Sequence, residues 1–328
     1  MIADDIIKFT FSGDPDDPIK RLCLGMYSYD RAFITAEGEI GMPLGTGYEV
    51  FGAPSVGKST YCYSMMGIIG KLLTANGAIA DLEGFDPKYV SNILRYLKYT
   101  GTIKLITQGT DEEILSKLED ALDPLPNQKQ SMKCEYTIGL LDSIAAISPV
   151  AERDGDLGGA NMGRRAFLMA QFTRRLLPTV HPRKYNSENI YFFTNHWYDD
   201  IGKWGFNTPG GEVKKYLCGC RIHLKREKIF EDGSYTLLGT LYKNRYGINK
   251  KQFYVFIKSG VGIHLGLTAL YDGIKVGKVN HRKPQGSKTT NLKLDGKKID
   301  DLEDIITKRW QDDEFFQPFY DALKEYGT

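Results

Sequence analysis

The sequence predicts an α/β protein: a mostly parallel sheet with antiparallel additions and helices on both faces, followed by a small C-terminal α/β domain. Three observations predict it. Short apolar runs alternate with amphipathic helical patterns up to about residue 196. Past residue 215, further strands follow one another with only turns between them. From about residue 267 the chain turns to Lys-, Gly- and Asn-rich loops and then to an acidic, aromatic helix. The expected division is a short N-terminal segment over 1–45, a core over 46–266 and a C-terminal domain over 267–328.

The elements can be justified in order. In the N-terminal segment, "IIKFTF" (6–11) fits a short strand and "SGDPDDP" (12–18) a loop by its Pro, Gly and Asp content. The core opens with a strand, "GYEVFG" (47–52), a glycine-rich turn and a helix over 59–77. A second strand, "GAIADLE" (77–83), leads to a helix over 86–99 with Pro87 in its first turn, where a missing N–H costs nothing. A third strand, "TIKLIT" (102–107), precedes "DEEILSKLEDAL" (111–122), whose leading acids suit a helix N-terminus. The near-continuous apolar run over 136–147 reads as a central strand covered on both faces. An amphipathic helix (162–180) and the strand "NIYFFTNH" (189–196) complete the alternation, which implies right-handed parallel crossovers. Runs at 220–230, 235–245 and 251–260 then read as antiparallel additions to the same sheet.

The turn after the first strand carries the strongest chemical signal. "GAPSVGKST" satisfies G-x-x-x-x-G-K-[ST] between a predicted strand and a predicted helix, the context that separates a phosphate loop from chance. Gly52, Ala53, Pro54, Ser55, Val56 and Gly57 supply backbone N–H groups that can curl around phosphates at a helix N-terminus. Lys58 would neutralise the outer phosphates, Ser59 would offer an oxygen to Mg²⁺, and Thr60 extends the site, so a nucleotide's phosphates with Mg²⁺ are the expected ligands. Asp142 ends an apolar run and is the expected second metal carboxylate; its plainer role would be capping the next helix. Hydrolysis also needs a group that orients water. "DLEGFDP" offers Asp81 and Glu83, on one face by strand alternation, and Glu83 lies nearer the strand end where open α/β sheets bind ligands.

The totals narrow the remaining classes. With 43 Lys+Arg against 41 Asp+Glu the net charge is +2, so any nucleic-acid site must be a local patch rather than a global field. Five scattered cysteines without C-x-x-C pairing argue against structural zinc or a disulfide framework. Two aspartates precede any apolar run at the N-terminus, and none approaches the roughly 20 residues of a membrane span. A soluble cytoplasmic protein is expected.

Beyond the loop, "DLEGFDPKYV", "LLDSIAAISPVAE", "NMGRRAFLMAQFTRRL", "FFTNH", "GGEVKKYLC" and "KNRYG" follow in order, and together they resemble the RecA family of recombinases from about residue 20 onward. "TNH" and "FFQPFYDALKEYG" look most like the bacteriophage-type branch. The resemblance implies a RecA-like core and site roles residue by residue. Asp86 and Tyr89 match adenine-side contacts, and Glu83 falls at the water-activating glutamate, although the stretch from Glu83 to Asp86 is one residue shorter than in bacterial members. His196 stands where those members carry a glutamine that senses the terminal phosphate. Lys243 and Arg245 match two lysines that reach a neighbouring protomer's ATP, and Tyr216 falls at a position that transmits state across that interface.

DNA contacts are implied for two loops. The first, 151–165, holds Met162, Arg164 and Arg165. The second, 197–211, holds Trp197, Lys203, Trp204, Phe206, Gly210 and Gly211, with Lys214 and Lys215 close by; its tryptophans would either stack on bases or fold back as a staple. The implied partners are single-stranded DNA, homologous duplex DNA and further copies of the chain in a helical filament, with "IIKFTF" the candidate assembly element. Single-strand-binding and loading proteins would be further partners. The implied activity is a DNA-dependent ATPase recombinase that pairs and exchanges strands. The competing classes are a ring-forming helicase-type ATPase and a regulatory paralogue that binds nucleotide without strand exchange.

Overall fold

The structure, a computed structural model, describes residues 19–122, 136–154, 163–180, 188–199, 206–212, 214–282 and 291–326. An entry segment holds β1 (Arg21–Leu22), α1 (Tyr27–Ala32) and β2 (Met42–Pro43), with β1 and β2 paired antiparallel. The alternating core follows as β3 (Thr46–Phe51), α2 (Lys58–Leu73), β4 (Asn76–Asp81), α3 (Pro87–Tyr96), β5 (Ile103–Ile106), α4 (Asp111–Leu122) and β6 (Thr137–Asp142). Then come α5 (Val150–Arg153), α6 (Arg164–Val180) and β7 (Ile190–Asn195).

A nine-stranded sheet organises these elements. β8 (Tyr198–Asp199) and β9 (Phe206–Asn207) form a separate small hairpin, and α7 (Lys214–Leu217) leads into β10 (Cys218–Ile229), β11 (Tyr235–Asn244), β12 (Gln252–Lys258) and β13 (Gly262–Ile263). The large sheet runs β13-β12-β11-β10-β3-β7-β6-β4-β5. The sequence makes all the late strands antiparallel additions, and β11 to β13 are; β10 itself runs parallel to β3, with Arg221 opposite Glu49. Cys218 pairs with Gly47, so β10 begins at the same edge of the sheet as β3 and runs alongside it.

Burial explains the helices. α2 is buried around most of its circumference, which is why "YCYSMMGIIG" carries no exposed polar stripe. It stops at Thr74, which takes a left-handed conformation (φ 51°), three residues short of the expected end at 77. β4 likewise ends at Asp81 rather than 83, and β6 at Asp142, followed by a 3₁₀ turn over Ile144–Ala146. One apolar cluster lies between the sheet and α2 with α3, and another lies on the opposite face under α4 and α6.

The C-terminal part comprises α8 (Leu265–Lys275), the antiparallel strands β14 (Val279–Arg282), β15 (Asn291–Leu294) and β16 (Lys297–Lys298), then α9 (Leu302–Lys308) and α10 (Asp313–Tyr326). Its apolar cluster includes Phe230 and Phe256 from the end of the large sheet, so it is seated on the core rather than tethered to it. No described helix is long and apolar enough to cross a membrane. The expected assembly strand at 6–11 lies outside the described residues.

Candidate nucleotide and nucleic-acid site

The parallel strands β3, β7, β6 and β4 end together, and their carboxyl edge gathers the candidate residues, as open α/β sheets do at ligand sites. The phosphate loop leaves β3 and enters α2. Ala53, Pro54 and Ser55 are exposed at its apex, Gly52 and Val56 are buried, and Gly57 (φ 111°) makes the turn into the helix. A Cβ on Gly52 would stand 2.5 Å from the Leu224 carbonyl oxygen, so the backbone of β10 requires glycine there. Lys58 Nζ donates to the carbonyls of Gly52 (3.3 Å) and Ala53 (3.0 Å), lying across the loop. Burial lowers its pKa, while the charges of Glu83 and Asp142 pull the other way.

Ser59 and Asp142 meet at the base of the loop. Asp142 is buried; it accepts hydrogen bonds from Tyr63 Oη (3.2 Å), Thr194 Oγ1 and Ser59. Burial pushes its carboxyl above the usual range against those bonds. Magnesium at phosphates takes one or two protein oxygens and completes its shell with phosphate and water. A hydroxyl beside a carboxylate is that donor set, so these residues fit Mg²⁺; among the described residues no cluster of three or more His, Cys, Asp or Glu competes for a metal.

Asp81 and Glu83 separate cleanly. β4 ends at Asp81, so strand alternation does not place Glu83 beside it. The Asp81 carboxylate accepts from the backbone N–H groups of Glu83, Gly84 and Phe85 and so builds the turn. Glu83 instead points out of that turn: Ser143 Oγ donates to its Oε1, and His196 Nε2 lies 3.4 Å from the same oxygen. Both Glu83 and His196 are partly open to solvent. Asp86 is the N-cap of α3, accepting from Lys88 N at 2.9 Å. Tyr89 Oη is 2.9 Å from Thr60 Oγ1, which brings the adenine-side candidate to the loop.

Behind His196 lies a buried polar network. Asn195 accepts from His196 N through its Oδ1 and donates through Nδ2 to Glu49 (2.8 Å) and the Pro209 carbonyl (3.0 Å). Glu49 is fully buried and paired with Arg221 at 2.5 Å, and Arg221 also donates to Thr208. Lys214, 1% exposed, donates to the carbonyls of Thr208 (2.9 Å) and Gly211 (2.7 Å). The strand end that carries His196 is thus joined to residues 208–211.

The nucleic-acid candidates are dispersed around this network. Arg164 is exposed and Arg165 half-buried at the start of α6. Trp197 is half-buried and packs edge-on against His223, 5.7 Å between ring centroids. Phe206 opens β9, and Gly210 and Gly211 both take positive φ. Met162, Lys203 and Trp204 lie outside the described residues. Lys243 donates to the carbonyls of Lys215 and Cys218, and Arg245 to that of Tyr216 at 2.9 Å, so both brace the segment around the exposed Tyr216. Burial, with Arg245 beside it, lowers the Lys243 pKa.

The sequence reading misses Tyr63, Ser143, Thr194 and Glu49. Glu49 had a signal, a carboxylate in the middle of an apolar strand, which demands a buried partner. Lys214, expected beside the DNA loop as a cation for it, is instead buried and spent on the carbonyls of Thr208 and Gly211.

The chain is 29% identical over 251 residues to Protein RecA of Sulfurovum sp., covering 73% of this chain and 64% of that protein. It is 28% identical over 224 residues to Protein RecA of Nitratiruptor sp. (66% and 58%), and 30% identical over 204 residues to that of Desulfovibrio desulfuricans (60% and 52%). The chain spans between about half and two thirds of the length of the curated relatives it matches. The profile of the RecA N-terminal domain matches residues 12–254, well over half of the sequence, and on that match the chain belongs to the RecA family.

Proposed function

We propose that this protein is a DNA-dependent ATPase that forms filaments on single-stranded DNA and promotes homologous pairing and strand exchange, in the bacteriophage-type branch suggested by "TNH" and the C-terminal helix. The observation that carries the reading is the chain of contacts from Glu83 through His196 and Asn195 to residues 208–211. It gives the hydrolytic end of the site a physical route to a loop read as DNA-binding.

In this reading the backbone of 52–57 and Lys58 hold the triphosphate, and Ser59 with Asp142 hold Mg²⁺, which when bound neutralises charge on the phosphates. Glu83, oriented by Ser143 and His196, positions the attacking water and takes its proton. Tyr89 and Asp86 lie on the base side. His196 faces the terminal phosphate from the end of β7, and its displacement is felt by Pro209 through Asn195. Lys243 and Arg245 leave their own carbonyls and reach a neighbour's nucleotide, which ties turnover to assembly. Arg164, Arg165 and the loop ending at Gly211 hold DNA phosphates without reading sequence, since recognition of homology is left to base pairing. The core over 46–266 does this work, and 267–328 serves as the smaller appended domain, in the cytoplasm.

The test is ATP turnover with and without single-stranded DNA across a salt series, alongside electron microscopy. The expected result is DNA stimulation that fades as salt rises, as phosphate-dominated binding requires, and helical filaments with ATP. Turnover indifferent to DNA, or closed rings in place of filaments, overturns the reading.

A further inference from the structure

The strands β10 and β11 lean on the phosphate loop at three successive points, none of them explained by catalysis. The Leu224 carbonyl occupies the place a Cβ on Gly52 would take. Two residues on, Arg226 Nη2 donates to the carbonyl oxygen of Ser55 at 2.5 Å. Ser55 is the exposed apex of the loop and is held at φ 57°, a conformation uncommon for a residue with a side chain. On the paired strand, a Cβ on Gly57 would stand 2.5 Å from Tyr235 Oη, and that hydroxyl also bonds Thr60.

Arg226 and Tyr235 act together. The guanidinium carbon lies 4.2 Å from the Tyr235 ring centroid, a cation–π stack that fixes the arginine fork. Arg226 Nε is buried with no hydrogen-bond partner among the described residues, so the side chain accepts a cost to reach the loop. A peptide unit is planar and trans, so a Ser55 carbonyl held toward Arg226 turns the N–H of Val56 the opposite way. That N–H does face into the loop, making only a long 3.4 Å contact with the Ala53 carbonyl. A donor so poorly satisfied is available to an anion.

We propose that Arg226 and Tyr235 are positioning residues of the nucleotide site: they clamp the apex of the phosphate loop and keep its backbone donors turned inward before nucleotide arrives. The inference rests on the reading of residues 52–60 as a phosphate loop. Neither side chain needs to touch the nucleotide. The clamp acts on ground state and transition state alike, so it governs affinity rather than the chemical step.

The experiment measures steady-state ATP turnover and calorimetric binding of Mg·ATP and Mg·ADP to the full chain. Wild type is compared with Arg226→Ala, Arg226→Lys, Tyr235→Phe and Lys58→Ala. Loss of one charge-assisted bond should raise KM of Arg226→Ala about tenfold, weaken Mg·ADP by a similar factor and leave kcat within about twofold. Arg226→Lys keeps a donor for the Ser55 carbonyl and should recover most of the affinity. Tyr235→Phe keeps the stack, loses the hydroxyl's bonds to Thr60 and Arg226 and should show a rise of about threefold; it carries the test if Arg226→Ala does not fold. Wild-type affinity in Arg226→Ala and Tyr235→Phe, with binding lost in Lys58→Ala, refutes the clamp and leaves the phosphate site standing. A fall in kcat at constant KM refutes the positioning role. Full nucleotide affinity in Lys58→Ala removes both.

Discussion

At the scale of single residues, two carboxylates only two positions apart do different work. Asp81 is consumed by its own turn, accepting from three backbone N–H groups. Glu83 accepts from one hydroxyl and faces an imidazole, with part of its surface open to water. A residue that orients water must keep a lone pair free for it, and only Glu83 does. On the proposed reading, replacing Glu83 with Gln keeps the shape and removes the base. It should lower kcat for ATP about a hundredfold with KM nearly unchanged, the signature of an interaction made in the transition state. Replacing Asp81 with Asn should instead weaken the turn and lower the denaturation midpoint. Steady-state kinetics and a urea titration on the two variants separate the roles; equal losses of kcat would put the assignment of Glu83 in doubt.

At the scale of elements, what was legible in the sequence was whatever obeys a local rule. The loop from β3 into α2 declares itself by glycine spacing, and Pro87 and Asp86 mark the start of α3. Alternation of apolar runs and helices gives the parallel sheet. What was hidden depends on register between strands far apart in the chain: Thr194 reaching Asp142 across β7 and β6, and Arg221 meeting Glu49 across β10 and β3. The end of β4 at Asp81 was hidden for another reason, since a side-chain-built turn stops a strand without glycine or proline at the stopping point. Lys214 shows the limit best. It opens a four-residue helix beside Lys215 and reads as surface, yet it is buried and holds Thr208 and Gly211 by their carbonyls. Burial lowers its pKa, while Glu49 pulls it back up. Lys214→Met keeps the volume and strands both carbonyls, each costing roughly 1–3 kcal/mol when left unpaired. Urea denaturation should show that loss of stability, and DNA stimulation of ATP turnover should fall further than turnover without DNA. Equal falls in both would mean that the anchor serves folding alone.

At the scale of the whole molecule, the entry segment, the core sheet and the C-terminal part are joined at one buried point. Asp30 in α1 accepts from Leu24 N (2.8 Å) and Gly25 N (3.0 Å). Asp272 in α8 accepts from Ser28 N (3.0 Å), and its other oxygen has no partner among the described residues. Ser28 in turn exchanges hydrogen bonds with the backbone of Tyr254 in β12. Burial pushes both carboxyls up to about 7, and Asp272 raises Asp30 further by its charge. Unfolded, each would titrate near the ordinary value of about 3.9. Between those limits the folded chain binds more protons than the unfolded one, so stability falls as pH rises. The contribution is complete below about pH 4 and is gone once pH has risen through the folded values near 7. Denaturation midpoints should therefore decline from pH 5 toward pH 8 in the wild type. Asp272→Asn removes one titration and relieves its neighbour, so its decline should be much shallower. A wild type and variant with parallel profiles would show that these carboxylates do not hold the three parts in a proton-dependent balance.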